Sequence, residues 1–356
     1  MPSPVSRLSA SVRRSLVLAS ALLCAAAPLA SPAQSPEAQT KAPDYTSIVI
    51  FGDSLSDTGN VAHLTQAKYD LRIPGPVADY TDGRFTDGAD TYAPAQKYFG
   101  VWVEQLAASF PSKPKIKDSL DGGTDYAYGF ATTAGGTAAF TFGPGDELSV
   151  QVDNIGKQIT DYLATHPKIT DKTLFIVWGG AIDLLYATSE DDILEAGIRQ
   201  TVNIERLVDA GATQFIIPNL PPLGLTPRLN GSPVTSVPAN AASALYNQTL
   251  ASGVSIVREI HPFKPLVLLQ LDVFSLFESI VAKPSKFAFA NITTPSQDEP
   301  VDPDTYLFWD DLHPTTHGHN LLAAAAEALI VAKKAGGTTE SGRAGLADLR
   351  QTIPAE

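Results

Sequence analysis

Four short runs of almost unbroken apolar character recur along the chain: "SIVIFGD" (47–53), "TLFIVWGG" (173–180), "TQFIIPNL" (213–220) and "PLVLLQLD" (265–272). Their length suits strands, and the lack of polar alternation suits strands covered on both faces, as in a parallel sheet. Between and after them, apolar residues recur at three- and four-residue steps. They do so in "QVDNIGKQITDYLATH" (151–166), "DDILEAGIRQTVNIERLVDAG" (191–211), "ANAASALYNQTLASGVSIVREIH" (239–261) and "NLLAAAAEALIVAKKA" (320–335). That period predicts helices, and the second opens on acids and closes on Gly211, as helix ends favour. Strands alternating with helices in this way predict one α/β domain over residues 45–334, a three-layer α/β/α sandwich.

The two ends break the pattern. Residues 1–33 carry Arg7, Arg13 and Arg14 ahead of the apolar stretch "SLVLASALLCAAAPLA", then small residues before Gln34. This is the layout of a secretory signal peptide, with an apolar stretch too short to span a bilayer comfortably. It predicts a secreted or periplasmic protein with no stable membrane insertion after cleavage. Residues 34–44 read as a polar, proline-containing linker, and residues 335–356 as a loosely ordered tail.

Composition narrows the function classes. The 356 residues are 44% hydrophobic and 18% charged, with a formal net charge of −13. Such an acidic balance, without a basic stripe, excludes a nucleic-acid partner. Loss of the signal segment would take three Arg and no acid, leaving −16, and would also take Cys24, the single cysteine. Neither a disulfide nor thiol chemistry is then available.

Candidate chemistry lies at the ends of the predicted domain. "VIFGDSLSDTGN" (49–60) puts Ser54 at the turn after the first strand, at the carboxyl edge where open parallel sheets bind ligands. Ser54 could simply cap the following helix, or be a nucleophile if a base is supplied. "FWDDLHPTTHGHN" (308–320) offers one, with Asp310 three residues before His313. A carboxylate at that spacing can hold one ring nitrogen while the other faces the serine. His313, His317 and His319 raise a metal site as a rival. Too few further ligands accompany them, and Pro314 follows His313 directly, so no metal site is expected. His317 and His319 read as solvated residues at a helix start, and Tyr126, Tyr128 and Trp178 as core.

These segments resemble the GDSL esterases and lipases of the SGNH hydrolase superfamily. "FGDSLSDTGN" is similar to the family's first block and "WDDLHPT" to its last, while "GRFTDG" (83–88) and "NLPPLGLTP" (219–227) also resemble family segments. The resemblance implies a five-stranded parallel sheet and hydrolysis of carboxylic esters without a cofactor. It implies Ser54 as nucleophile, His313 as base and Asp310 as its orienting acid.

Two positions depart from the family pattern. The resemblance implies an oxyanion hole made of the Ser54 backbone N–H, a glycine N–H in the second block and an asparagine amide in the third. Here "DYAYGFATT" (125–133) puts Phe130 at the second glycine, and "WGGAIDLL" (178–185) puts Ile182 at the asparagine. Phe130 keeps a backbone donor, whereas Ile182 has none. A missing donor costs about 10²–10³ in turnover, so a slow esterase is expected. Two other readings stay open: an acyltransferase using the same acyl-enzyme, and a ligand-binding protein on a weakened scaffold. The substrate would be a small-molecule, lipid or carbohydrate ester. The apolar, glycine-rich "TTAGGTAAFTFGPG" (132–145) reads equally as an acyl-side wall or flap and as an ordinary surface loop.

Overall fold

The computed structural model describes residues 45–334, apart from 89–96, 144, 146, 170–172 and 298. The signal peptide expected at 1–33, the linker at 34–44 and the tail at 335–356 lie outside the described residues. Along the chain, strand β1 (Ser47–Gly52) leads to helices α1 (Asn60–Tyr69) and α2 (Trp102–Ser109), then strands β2 (Thr137–Phe142) and β3 (Leu148–Asp153). Helix α3 (Ile155–Thr165), strand β4 (Thr173–Trp178), helices α4 (Ala181–Tyr186) and α5 (Glu190–Asp209), and strand β5 (Gln214–Pro218) follow. The chain continues through α6 (Pro233–Ile260), β6 (Val267–Leu271), α7 (Val273–Ala282), β7 (Asn291–Pro295), β8 (Tyr306–Phe308) and α8 (Thr316–Lys334).

All four predicted strands form, and they pair in parallel in the order β1-β4-β5-β6. Side chains alternate between faces with the period of two that a strand imposes. Ile48 and Ile50 join Leu174 and Ile176 in a core shared with α2, α7 and α8. Val49, Phe51, Phe175, Val177, Phe215 and Ile217 join a second core shared with α3, α5 and α6. Every residue of β4 is buried. This is the sandwich the continuous apolar runs predicted. No helix among the described residues is long and apolar enough to cross a membrane.

The sheet has four strands, correcting the expected five. The edge beside β1 is occupied by residues 124–128, which run parallel to it: Ile50 N–H donates to Thr124 O, Tyr126 N–H to Ile50 O and Tyr128 N–H to Gly52 O. Side chains claim this segment's outer carbonyls. Asn60 Nδ2 donates to Asp125 O and to Ala127 O, and turns closed by Gly123 N–H to Asp118 O and Ala131 N–H to Tyr128 O keep the segment short.

Two boundaries also shift. Residues 151–153 belong to β3, where Val150 and Val152 are buried on alternate positions, and the helix begins only at Ile155. Helix α6 starts at Pro233, with the Ser232 hydroxyl accepting from Val234 N–H and proline at the position that needs no N–H. The glycine-rich stretch is the hairpin β2–β3.

Candidate active site

The chain leaves β1 through Gly52, where a Cβ would lie 2.7 Å from Trp178 O, so only glycine fits there. Ser56 and Asp57 N–H then both donate to Asp53 O, folding a tight turn with Ser54 inside it. Ser54 is 5% exposed.

The opposite wall comes from the loop between β8 and α8. Asp310 Oδ1 accepts from Leu312 N–H (2.8 Å) and His313 N–H (2.6 Å), which curls the loop back on its own carboxylate. Asp310 Oδ2 lies 2.6 Å from His313 Nδ1, and His313 Nε2 lies 2.8 Å from Ser54 Oγ. With Nδ1 facing a carboxylate, the neutral ring carries its proton there, and Nε2 accepts from the serine hydroxyl. Burial alone would raise the Asp310 carboxyl. The His313 charge and the N–H donors overcome it and hold the group down at about 2. The three residues singled out in the sequence are therefore brought into one hydrogen-bonded line.

"GRFTDG" anchors this loop. The Phe85 ring lies 5.1 Å from the His313 ring, Thr86 Oγ1 donates to Pro314 O, and Asp87 accepts from Thr316 N–H and Oγ1 at the start of α8. Tyr80 adds a contact that no sequence signal announced: its hydroxyl donates to Asp310 Oδ2 at 2.8 Å. His317 and His319 are not solvated, correcting that expectation; they are 5% and 0% exposed. His317 Nδ1 bonds to Asp304 O and its ring stacks on Tyr98. His319 Nδ1 accepts from Trp102 N–H, and burial pushes the ring down to about 3, so it is neutral. Both rings serve the packing of α8, and they do not converge with His313 on a common point.

The polar string after Ser54 is a clamp. Asp57 accepts from Gly59, Asn60 and Val61 N–H, capping α1, and also from Gly129 N–H in the second block. Thr58 donates through both N–H and Oγ1 to Asp125, which is fully buried. Asn60 Oδ1 accepts from Ser119 Oγ and Leu120 N–H. Asp57 and Asn60 were not picked out in the sequence, although "DTGN" (57–60) was their signal, and neither was Asp125, which opens "DYAYGFATT". In the third block, Asp183 accepts from Thr133 N–H and Oγ1 and pairs with Arg199, tying that block to the second.

After the clamped residues 124–128 the chain turns at Gly129 and Phe130, with Ala131 N–H donating to Tyr128 O. Phe130 has φ 70°, the left-handed region that a glycine would occupy without strain. Its side chain is held between Phe140 and Tyr186. Among the described residues, neither Ser54 N–H nor Phe130 N–H has a hydrogen-bond acceptor. Ile182 is 5% exposed and borders a narrow cavity with Ser54, His313, Leu223 and Phe308. That cavity holds about 30 Å³, and Ile182 presents only hydrocarbon to it. A wider cleft of about 720 Å³ opens beside His313, walled by Tyr80, Phe85 and, from the hairpin, Phe140 and Phe142. The glycine-rich stretch thus contributes a wall of the cleft.

The family model described as GDSL-like lipase/acylhydrolase matches residues 48–326. The chain is 26% identical to a phosphatidylcholine-sterol acyltransferase of Aeromonas hydrophila, over 83% of this chain and 92% of that protein. It is 25% identical to a GDSL esterase/lipase of Arabidopsis thaliana, over 81% of this chain and 87% of that one. A solved member of the lipolytic G-D-S-L family from Veillonella parvula aligns at 14% identity and a TM-score of 0.40, covering 80% and 96% of the two chains. With the family model spanning both the Ser54 turn and the His313 loop, the chain belongs to the GDSL-like lipase/acylhydrolase family and is an ester-hydrolysing enzyme.

Proposed function

We propose that this protein, exported from the cell, hydrolyses carboxylic esters through an acyl-enzyme on Ser54. The observation that carries the reading is the unbroken line from Ser54 Oγ through His313 to Asp310 at the carboxyl edge of the sheet. Ser54 Oγ attacks the ester carbonyl as His313 Nε2 takes its proton. Asp310 keeps the ring oriented and stabilises the imidazolium that forms. His313 then protonates the departing alkoxide, and water activated by the same nitrogen releases the acid. The unengaged N–H groups of Ser54 and Phe130 are suited to the developing oxyanion. The substrate is a small-molecule, lipid or carbohydrate ester, and the chemistry needs no cofactor.

Ser54→Ala should lower hydrolysis of aryl esters by roughly 10⁴-fold or more, with the circular dichroism spectrum unchanged. A fluorophosphonate should label Ser54 in the wild type, as peptide mass spectrometry would report. Labelling at another serine, or full activity in the alanine variant, would overturn the assignment. Acyl transfer is a second reading, favoured by similarity to the Aeromonas hydrophila acyltransferase. It predicts that added alcohol diverts the acyl group from free acid to a new ester.

A further inference from the structure

Ile182 leaves the cavity beside Ser54 without a side-chain donor at the third oxyanion position. Few polar side chains line that cavity. Ser54 and His313 belong to the hydrogen-bonded line, the Trp178 indole donates to Asn219 O, and the Thr226 hydroxyl donates to Leu223 O. The remaining polar side chain is that of Asp53. Asp53 is 3% exposed; Oδ1 accepts from Leu55 N–H at 3.1 Å, the backbone N–H of Asp53 also favours the charged carboxylate, and among the described residues no other residue donates to Oδ2.

The titratable groups facing Asp53 are His313 from the β8–α8 loop, Asp183 from α4 and Tyr246 from α6. Burial, reinforced by the Asp183 charge, outweighs the opposing pull of Leu55 N–H and His313 and pushes the carboxyl up to about 7. An apolar cavity stabilises the neutral acid in this way, and a neutral acid is a hydrogen-bond donor.

We infer that Asp53, as a neutral carboxylic acid, donates a hydrogen bond from its Oδ2 side to the substrate oxyanion, in the place that Ile182 leaves vacant. The inference rests on the esterase reading above. Asp53 keeps its proton throughout; the proton of Ser54 passes to His313 Nε2 and then to the leaving alkoxide. Ionised, the same carboxylate would repel the oxyanion, so turnover has an alkaline limit.

The test is kcat against pH with p-nitrophenyl acetate for the wild type, Asp53→Asn and Asp53→Val. Wild-type kcat should fall about tenfold between about pH 6 and 8 as Asp53 ionises. Asp53→Asn, an uncharged donor at every pH, should keep kcat within about tenfold of wild type at pH 6 and lose the alkaline fall. Asp53→Val should lose about 10²–10³ in kcat at pH 6. A side chain serving only to accept from Leu55 N–H would leave no alkaline limb for the asparagine to remove. A wild-type profile flat through pH 8, or an alkaline fall that persists in Asp53→Asn, overturns the inference. Should the valine variant fail to fold, the asparagine comparison still decides. A wild type with neither ester hydrolysis nor fluorophosphonate labelling at Ser54 instead overturns the esterase reading, and the inference falls with it.

Discussion

The hydroxyl of Tyr80 and the Nδ1 of His313 share one oxygen, Asp310 Oδ2, at 2.8 and 2.6 Å. Burial and the adjacent Asp310 charge push the phenol up, so it stays protonated and acts only as a donor. Part of the carboxylate charge that faces the imidazole is thereby taken up by the phenol.

Tyr80→Phe should therefore leave Asp310 Oδ2 to His313 alone, with more negative charge facing the imidazolium that forms in the transition state. A hydrogen bond of about 0.5–1.5 kcal/mol corresponds to a rise in kcat/KM of about 2- to 12-fold. Steady-state kinetics with an aryl ester measure it, and a kcat/KM that stays fixed or falls would show that the phenol does not tune the pair.

Ile182→Asn should raise kcat by restoring a side-chain amide beside Ser54. The ceiling is about 10²–10³. The gain should be smaller in acid, where Asp53 donates, and larger above about pH 7, where it is ionised. Phe130→Gly should relieve left-handed strain of about 1 kcal/mol but lose the ring's contacts with Phe140 and Tyr186, so urea denaturation should show no net gain in stability. If Ile182→Asn folds and leaves kcat unchanged at every pH, the third position contributes no donor to this reaction.

Asp57→Ala removes the acceptor for four N–H groups, three in the α1 cap and one at Gly129. Each buried donor left unpaired costs about 1–3 kcal/mol, so a total loss of several kcal/mol is expected. Turnover of the folded fraction should fall too, because the Gly129–Phe130 turn loses its tether. Asp57→Asn should rescue only partly, since half of an amide is a donor set against donors. Denaturant unfolding together with active-site titration separates the two effects.

What was legible in the sequence follows from how each signal is encoded. The sheet strands are continuous apolar runs, so β1, β4, β5 and β6 stood out, and Ser54, Asp310 and His313 stood out by residue type and spacing. Helix α2 was missed because eight residues give a period little room to show. The hairpin was missed because "GGTAAFTF" alternates small residues with aromatics on a half-exposed ribbon, where apolar continuity fails. The fifth strand was expected from the resemblance, yet turns at 118–123 and 128–131 confine that segment to a few residues beside β1. His317 and His319 looked polar by type, and only the packing of α8 shows that both are buried. Tyr80 could not be paired with Asp310 from the sequence, since 230 residues separate them and neither lies in a periodic element.

The hydrogen bond between Ser54 and His313 closes a loop of 259 residues, joining the first strand of the sheet to the loop before its last helix. Contacts so distant along a chain carry a larger closure entropy than local ones. Until residues 310–313 are in place, Ser54 has no imidazole beside it. Under the proposed mechanism, reactivity depends on the packing of α8 and its leading loop against the Ser54 turn. On that mechanism, a chain in which the 310–313 loop has not yet met the Ser54 turn carries a serine without its base.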